Sequence, residues 1–416
     1  MSTMATQPAT AKEKEVLRTL AEQVAEIAEL PVQDERRSIW YKHNALERTR
    51  PIVLCYPELA WEDLVPDSDL LCEDETLRVF ERELRQRIST HERLCDDKVI
   101  TKEFRVPFVY SHTNWGLEEK WINSDHRKEG ASRWDPALNE ESDLDRMHFP
   151  EIVVDSDASA KKLATAQELF GDILEVSLGN PFWWTLGPID ILAKLRGMDK
   201  LMMDMVDRPE FVHRAMRFLT DGQHAMLDQC VNQNLLSLNN GAHYVGSGGF
   251  GFTKKLPQED FDGNVRPCDM WGFCEAQLIA HISPAMHDEF AITYQAEILD
   301  RFGLSCYGCC EPLSRKFEIL RKIPRLRRIS ISPWADVNEA SEKLPGWAIF
   351  SWKPNPSMVV NTYDEETIRK HIRETLELAT SNNCTIEVIL KDLVSADPAH
   401  LEGWTKIATE EAVKFA

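Results

Sequence analysis

The stretch Gly303-Leu-Ser-Cys-Tyr-Gly-Cys-Cys-Glu-Pro-Leu313 decides the interpretation of the chain, because it places soft ligand side chains at the end of a predicted buried strand. Cys306, Cys309, Cys310 and Glu311 fall within six positions. Thiolates and a carboxylate at a strand end are what a zinc or iron site needs. The alternative is that the three cysteines are small buried hydrophobic residues, since free cysteine is among the most buried residue types. In a regular strand Cys309 and Cys310 would point to opposite sides, so the stretch alone predicts an incomplete site.

Short apolar runs that predict buried strands alternate with amphipathic helices along the chain. The predicted strands and their exits are 51–56, 105–110, 173–178, 267–275, 304–311, 328–332, 347–351 and 385–390. About eight alternations with short loops indicate an α/β fold, a (β/α)8 TIM barrel, rather than a mixture of classes. We expect residues 1–40 to form an N-terminal helical extension and residues 41–416 to form the barrel.

Composition restricts the partners of the protein. The formal net charge is −21, which argues against nucleic acid because polyanion binding relies on clustered Lys and Arg. No apolar run approaches the ~20 residues of a membrane span, and residues 1–8 lack an apolar signal core, so we expect a cytoplasmic protein without a membrane partner. The ten cysteines are dispersed, which indicates reduced thiols rather than disulfides.

A glycine-rich segment contains the letters of a dinucleotide-binding motif. Gly246, Gly248 and Gly251 match G-x-G-x-x-G, but such a motif must open directly into a helix. Here it leads to Thr253-Lys-Lys-Leu-Pro257, so we predict a flexible loop at a strand exit. His243 and Tyr244 lie in the same loop.

From Gly187 onward the chain resembles the uroporphyrinogen decarboxylase superfamily, and within it the zinc- and corrinoid-dependent methyltransferases, including the O-demethylase-like branch. The blocks that carry the resemblance are Gly187-Pro188, Leu195-Arg-Gly197, Asp207-Arg-Pro-Glu-Phe211, Ile282-Ser-Pro284 with Asp288-Glu-Phe290, and the strand at 304–311. Their order and spacing cover roughly residues 40–416. The resemblance implies the TIM barrel of that superfamily, a Zn²⁺ ion and a corrinoid (cobalamin) carried by a partner protein.

The resemblance also implies where the metal ligands lie. The methyltransferases typically carry His-x-Cys on the strand equivalent to 304–310; here Tyr307 replaces the His if Cys309 replaces the Cys. The last strand ends in Lys391-Asp392 instead of Gly-Cys, which makes Asp392 a candidate oxygen ligand. The predicted ligands are Cys274 or Glu275, Cys309 or Cys310, and Asp392, with His243 in reserve.

The implied reaction assigns roles to further side chains. Zinc would withdraw electron density from the heteroatom that bears the substrate methyl group. A general acid would protonate the leaving heteroatom, and the candidates are His243, Glu311 and Asp392. Aromatic side chains at the strand exits suit a methoxyaromatic ring, or a methylammonium held by cation–π contact. The candidate substrate-binding residues are Trp183, Trp184, Tyr244, Trp271, Tyr307 and Trp352.

The sequence therefore predicts a methyltransferase that acts on a small-molecule methyl donor and a corrinoid protein, with a homodimer left open. Two alternatives remain. One is a decarboxylase of the same fold, which would need basic residues around a polycarboxylate; the charge of −21 and the aromatic exits count against it. The other is a non-catalytic corrinoid-binding module, in which the cysteines would be structural.

Overall fold

A computed structural model describes residues 9–118, 120–123, 132–179 and 185–416. The strands are β1 Ile52–Cys55, β2 Glu103–Val106, β3 Tyr110–His112, β4 Lys120–Asn123, β5 Ser132–Asp135, β6 Ile152–Val154, β7 Glu175–Leu178, β8 Tyr244–Val245, β9 Gly249–Phe250, β10 Trp271–Cys274, β11 Leu304–Tyr307, β12 Leu326–Ile331, β13 Ile349–Trp352 and β14 Ile386–Leu390. The helices are α1 Ala11–Ala28, α2 Pro31–Asn44, α3 Trp61–Leu64, α4 Glu75–Ser89, α5 Ser156–Phe170, α6 Pro188–Arg196, α7 Met198–Asp207, α8 Pro209–Asn232, α9 Pro284–His287, α10 Thr293–Leu299, α11 Phe317–Leu320, α12 Val337–Lys343, α13 Ser357–Val360, α14 Glu365–Ser381 and α15 Pro398–Val413.

Within the described part of the chain, six strands form one parallel sheet in the order β1-β14-β13-β12-β11-β10. The first strand of the chain lies beside the last, with Ile52 opposite Glu387. A separate parallel pair joins β2 to β7. The strands of the large sheet are almost entirely buried, as expected when helices cover parallel strands. The chain is therefore a mixed α/β protein with a parallel central sheet, compatible with a TIM-barrel-like arrangement.

Side chains occupy both edges of the six-stranded sheet. At the β1 edge, Asp97 accepts a hydrogen bond from the backbone of Val53 at 2.8 Å and Asp96 accepts one from Cys55 at 2.9 Å. At the β10 edge, the amide of Asn239 pairs with both backbone groups of Trp271, at 2.9 and 3.0 Å. These contacts satisfy backbone groups that a neighbouring strand would otherwise bind.

The predicted strands overlap the observed ones, although the run predicted as one strand over 105–110 contains the end of β2 and the start of β3. Residues 313–323 contain the short helix α11. The described residues of the charged region 114–150 contain the antiparallel pair β4 and β5. The predicted N-terminal extension contains α1 and most of α2, and its boundary at residue 40 stays a prediction.

A buried charged network lies inside the sheet. Arg328 of β12 donates to Glu387 of β14 at 2.8 Å, and His43 of α2 lies 3.1 Å from the other carboxylate oxygen. The side chain of Asn44 accepts a hydrogen bond from Arg328 at 2.7 Å. Hydrogen bonds therefore join α2 to β12 and β14. No helix in the described residues has the length and apolar character that crossing a membrane requires.

Candidate functional site

The cysteine pair lies where β11 ends. The strand stops at Tyr307, and Gly308 takes a φ of 85°, a conformation that favours glycine. The turn breaks the alternation of the pleat, so the Sγ atoms of Cys309 and Cys310 lie 3.5 Å apart. The expectation that the two side chains point to opposite sides is therefore wrong, because it assumed a strand that continued beyond residue 307. Both thiols are available to one ligand.

The exit of β14 brings a cation and a carboxylate to the thiols. The Lys391 ammonium lies 4.0 Å from the Sγ of Cys309 and 3.3 Å from Asp392. An Asp392 oxygen lies 3.7 Å from the Sγ of Cys310. Ser247 connects Cys309 and Lys391, with 3.5 Å to each. The pair therefore lies among polar side chains at the carboxyl edge of the sheet.

The two thiols differ in exposure and acidity. Cys309 is 4% exposed, whereas Cys310 is exposed to solvent. The hydrogen bond with Cys310, together with burial, raises the pKa of Cys309. The same hydrogen bond holds the pKa of Cys310 below its usual value. Cys310 is consequently the more readily ionised sulfur of the pair, and thiolates are the forms that act as nucleophiles and bind metals.

Three buried carboxyl groups, those of Glu311, Glu275 and Asp190, lie around the exits of β10 and β11. Glu311 accepts from the backbone of Cys309 at 2.8 Å and of Ala276 at 3.0 Å, and so joins the exits of β11 and β10. Burial, with the charges of Cys309, Glu311 and Asp190, raises the pKa of Glu275 to about 10. Burial and the charge of Glu311 raise the pKa of Asp190 to about 7. Within the described residues the Oε2 atom of Glu275 has no hydrogen-bond partner.

The remaining candidates for metal ligand or general acid, Cys274 and His243, lie away from the cysteine pair. Cys274 contacts the backbone oxygen of Leu186 at 3.4 Å and packs in a different apolar cluster from Cys309. His243 lies 3.1 Å from Glu103 of β2. The structure thus brings Glu275, Glu311 and Asp392 to the cysteine pair, and it does not bring Cys274 or His243 to it.

The aromatic candidates are also divided. Tyr307 donates to Gln295 at 2.8 Å and lies in the core between strand and helices, as does Trp352, whose ring contacts His371 of α14. Trp271 is 4% exposed and donates its indole N–H to Gly251. Tyr244 lines a cleft between the exit of β1, β2 and α4, and the charges of Lys391 and Cys309 act on its hydroxyl. Trp183 and Trp184 lie outside the described residues.

The ligand set can be compared with the needs of zinc. Two sulfurs bound tetrahedrally to one zinc, at about 2.3 Å each, lie roughly 3.8 Å apart. The 3.5 Å between the Sγ atoms of Cys309 and Cys310 suits such a pair. One oxygen of the Glu275 carboxyl, Oε2, lacks a hydrogen-bond partner among the described residues. Among the described residues, no three His, Cys, Asp or Glu side chains are grouped closely enough to hold a metal as they stand. A third ligand would have to approach the thiols.

Sequence reasoning missed the side chains that surround the cysteines. The sequence predicts Lys391 only as part of a strand exit. Its position directly before Asp392, a candidate ligand, was the signal that it would lie near the site. Ser247 lies in the glycine-rich loop, where no pattern marks a hydroxyl as part of a site. Lys353 is 2% exposed beyond β13, and burial lowers its pKa to about 7.

No protein-family model matches the chain, and no curated protein matches it. Among solved structures, the chain is similar to a methyltransferase from Methanosarcina mazei. The TM-score is 0.47 and the identity 11%, over 91% of this chain and 98% of that chain. A likeness of this degree is no evidence of a shared activity. The evidence for function lies in the side chains of this chain.

Proposed function

We propose that the protein is a methyltransferase with a TIM-barrel-like fold, which moves a methyl group between a small substrate and the cobalt of a corrinoid protein. The substrate would be methoxyaromatic or methylamine-like. The observation that carries the proposal is the pair of thiols 3.5 Å apart at the carboxyl edge of the sheet. Parallel α/β sheets place ligand-binding and catalytic groups at this edge.

Zinc is part of the proposal. Cys309 and Cys310 would hold it, joined by Glu275 or Asp392 as the third ligand. When bound, zinc would act as a Lewis acid on the heteroatom that bears the methyl group. A corrinoid on the partner protein would supply the methyl-accepting cobalt. Of the two carboxyl groups, Asp392 is already paired with Lys391, whereas an oxygen of Glu275 lacks a hydrogen bond within the described residues.

The side chains of this chain can manage charge and protons at the site. The Lys391 ammonium lies close enough to Cys309 to favour a negative charge on the sulfur pair. The raised pKa of Glu275 keeps that carboxyl protonated at neutral pH, so it can hold a proton beside Cys309. Glu311 fixes the turn by accepting from Cys309 and Ala276. The geometry therefore favours Glu311 as a positioning residue, and Glu275 as a proton donor when Asp392 serves as the third ligand.

Metal analysis of the protein expressed with ample zinc tests the metal part of the proposal. We expect about one zinc per chain in the wild type and in a Cys95→Ser control, because the exposed Cys95 thiol contacts the backbone of His91 and not the pair. We expect loss of zinc and of methyl transfer in Cys309→Ser and Cys310→Ser, with folding retained. Less than about 0.2 zinc per chain in the wild type would contradict the proposal that the enzyme uses zinc.

A further inference from the structure

Cys309 and Cys310 are neighbours in the sequence, and their Sγ atoms already lie 3.5 Å apart. A disulfide joins its sulfurs at about 2.05 Å, so the two atoms would have to approach each other by about 1.5 Å. Rotations of the two side chains and of the turn that carries them can supply a movement of this size. The reduced pair is therefore arranged so that a bond can form between its sulfurs without a large change in the fold.

The two thiols differ in how an oxidant in solution reaches them. Cys310 is exposed, so a small peroxide molecule can contact its sulfur. Cys309 is 4% exposed, and its sulfur is shielded from solvent while it contacts the sulfur of Cys310. Redox-sensitive sites typically combine an accessible cysteine with a second, resolving cysteine beside it. Cys310 matches the first role and Cys309 the second.

The backbone holds Cys309 in place and leaves the rearrangement to the exposed side of the turn. The N–H of Cys309 donates to the Glu311 carboxylate at 2.8 Å. Its carbonyl oxygen accepts from the Ser330 hydroxyl, also at 2.8 Å. Because both backbone groups of Cys309 are engaged, we expect the side chain of Cys310 to move toward Cys309 when the sulfurs bond.

A disulfide between adjacent residues is strained, which makes it easy to reverse. Neighbouring Cα atoms lie about 3.8 Å apart across a trans peptide bond. Most disulfides join residues whose Cα atoms are roughly 4.4–6.8 Å apart. Strained and exposed disulfides are more readily reduced than structural ones, and they are the kind that serves in regulation. The bond at this turn would therefore open again under a thiol reductant.

We propose that Cys309 and Cys310 are a site of reversible oxidation, at which hydrogen peroxide converts the two thiols to a disulfide between neighbouring residues. The peroxide oxidises the sulfur of Cys310 to a sulfenic acid, and its second oxygen leaves as water. The sulfur of Cys309 then attacks that of Cys310. The S–S bond forms, and the sulfenic oxygen leaves as a second water with the proton of the Cys309 thiol. The two electrons that the sulfurs lose reduce the O–O bond of the peroxide.

The disulfide would also switch off the proposed metal site. Zinc binds cysteine as the thiolate, and the oxidised pair has no thiolate to offer. This consequence deepens the proposed function and rests on it, because it requires that the two cysteines hold zinc. Oxidation should therefore remove zinc and stop methyl transfer, and dithiothreitol followed by zinc should restore both.

Mass spectrometry of the reduced, zinc-stripped protein after treatment with hydrogen peroxide tests the inference. Free thiols are alkylated with iodoacetamide in denaturant, and trypsin releases residues 302–315, which contain the pair and Cys306. We expect this peptide to lack two hydrogen atoms, to carry one alkyl group, at Cys306, and to regain two thiols with dithiothreitol. Cys95 is the internal control, because it is exposed but its sulfur contacts the carbonyl oxygen of His91. It should be oxidised without forming a disulfide.

Two variants separate the roles of the cysteines. Cys309→Ser removes the resolving thiol, so the sulfenic acid at Cys310 should persist and react with dimedone several-fold more than in the wild type. Cys306→Ser is the matched control, since it changes another cysteine of the same peptide and should form the disulfide as the wild type does. Thermal melts show whether the variants fold, and the wild-type peptide decides the matter if Cys309→Ser does not.

Three results would each overturn the inference. They are two unmodified thiols at 309 and 310 when Cys95 is oxidised, a sulfinic acid at Cys310 beside an unmodified Cys309, and a disulfide that links two chains. Since the disulfide is measured without zinc or corrinoid, absence of zinc and of methyl transfer in the reduced protein removes the proposed function and leaves the oxidation site standing. Retention of zinc by a fully oxidised pair overturns the switch.

Discussion

At the scale of single residues, Cys310 and Cys95 are both exposed thiols with opposite environments. The hydrogen bond with Cys309 lowers the pKa of Cys310, whereas partial burial raises that of Cys95. We expect iodoacetamide at pH 7.5 to alkylate Cys310 several-fold faster than Cys95, because the thiolate is the reacting form. Peptide mass spectrometry of a time course measures both rates in one sample. Lys391→Gln should slow only the reaction of Cys310, and equal rates at the two cysteines in the wild type would contradict the proposed acidity.

Glu275 gives a pH-dependent prediction about stability. Its folded-state pKa of about 10 exceeds the ordinary value of 4.5, so above pH 4.5 the unfolded chain loses a proton that the folded protein keeps. This group therefore destabilises the fold increasingly as the pH rises from 4.5 toward 10. Relative to wild type, Glu275→Gln should gain unfolding free energy by up to about 1.4 kcal/mol per pH unit. Urea denaturation at pH 6, 7 and 8 measures this difference, and a difference that does not change with pH rejects the assignment.

At the scale of elements, the turn after β11 depends on Gly308. An added Cβ would lie 2.6 Å from a Leu313 methyl group, and the φ of 85° is unfavourable for other residues. Gly308→Ala should cost about 1–3 kcal/mol and reduce methyl transfer by separating the thiols. Gly346→Ala is the matched control, because Gly346 has a φ of 79° with nothing within 4 Å of its added Cβ.

Thermal melts and activity assays of the two alanine variants separate strain from loss of the site. Both variants should lose stability, but only Gly308→Ala should lose zinc and activity beyond the unfolded fraction. If the two variants behave alike in both assays, the turn does not position the cysteines.

The position of β11 was predictable from its apolar letters, but the geometry of its exit was not. The run from Leu304 reads as one strand to residue 311, because Cys and Tyr are compatible with strand and only Gly308 signals an end. Whether that glycine takes a positive φ depends on contacts with Leu313 and on the carboxylate of Glu311, and both contacts form only in the folded chain. The sequence therefore indicated the ligands without showing that both thiols face the same way.

At the scale of the whole molecule, the network of Arg328, Glu387 and His43 joins the sheet to α2. Burial opposes ionisation, but the charge of Arg328 and the hydrogen bond from His43 hold the pKa of Glu387 well below its ordinary value of 4.5. Glu387→Gln leaves the Arg328 charge unpaired in the interior, so we expect a loss of about 3–5 kcal/mol at pH 7.

The pH dependence of this loss follows from the lowered pKa. The stabilisation by Glu387 is complete above pH 4.5 and falls as the pH drops further, so the loss in Glu387→Gln should be about 1 kcal/mol smaller at pH 4 than at pH 7. Chemical denaturation at the two pH values checks this. A loss below about 1 kcal/mol at pH 7 would show that the ion pair contributes little to the fold.

Alternation of strands and helices predicted the α/β class and the parallel strands, because buried parallel strands read as continuous apolar runs. It could not predict that Asp97 and Asn239 would occupy the edges of the six-stranded sheet, since such pairings join distant parts of the chain. The sequence likewise left His243 as a reserve ligand and a general-acid candidate, whereas the fold pairs this side chain with Glu103.

The most direct test of the central claim is the absorption spectrum of a Co(I) corrinoid protein mixed with the zinc-loaded enzyme and one methyl donor at a time. The donors are methoxyaromatics, methylamines and methyl thioethers. We expect a methoxyaromatic compound to convert the Co(I) spectrum to that of the methylated corrinoid with wild type and with Cys95→Ser, but not with Cys309→Ser or Cys310→Ser. An unchanged spectrum with every donor, or methylation that persists when both Cys309 and Cys310 are replaced, would contradict it.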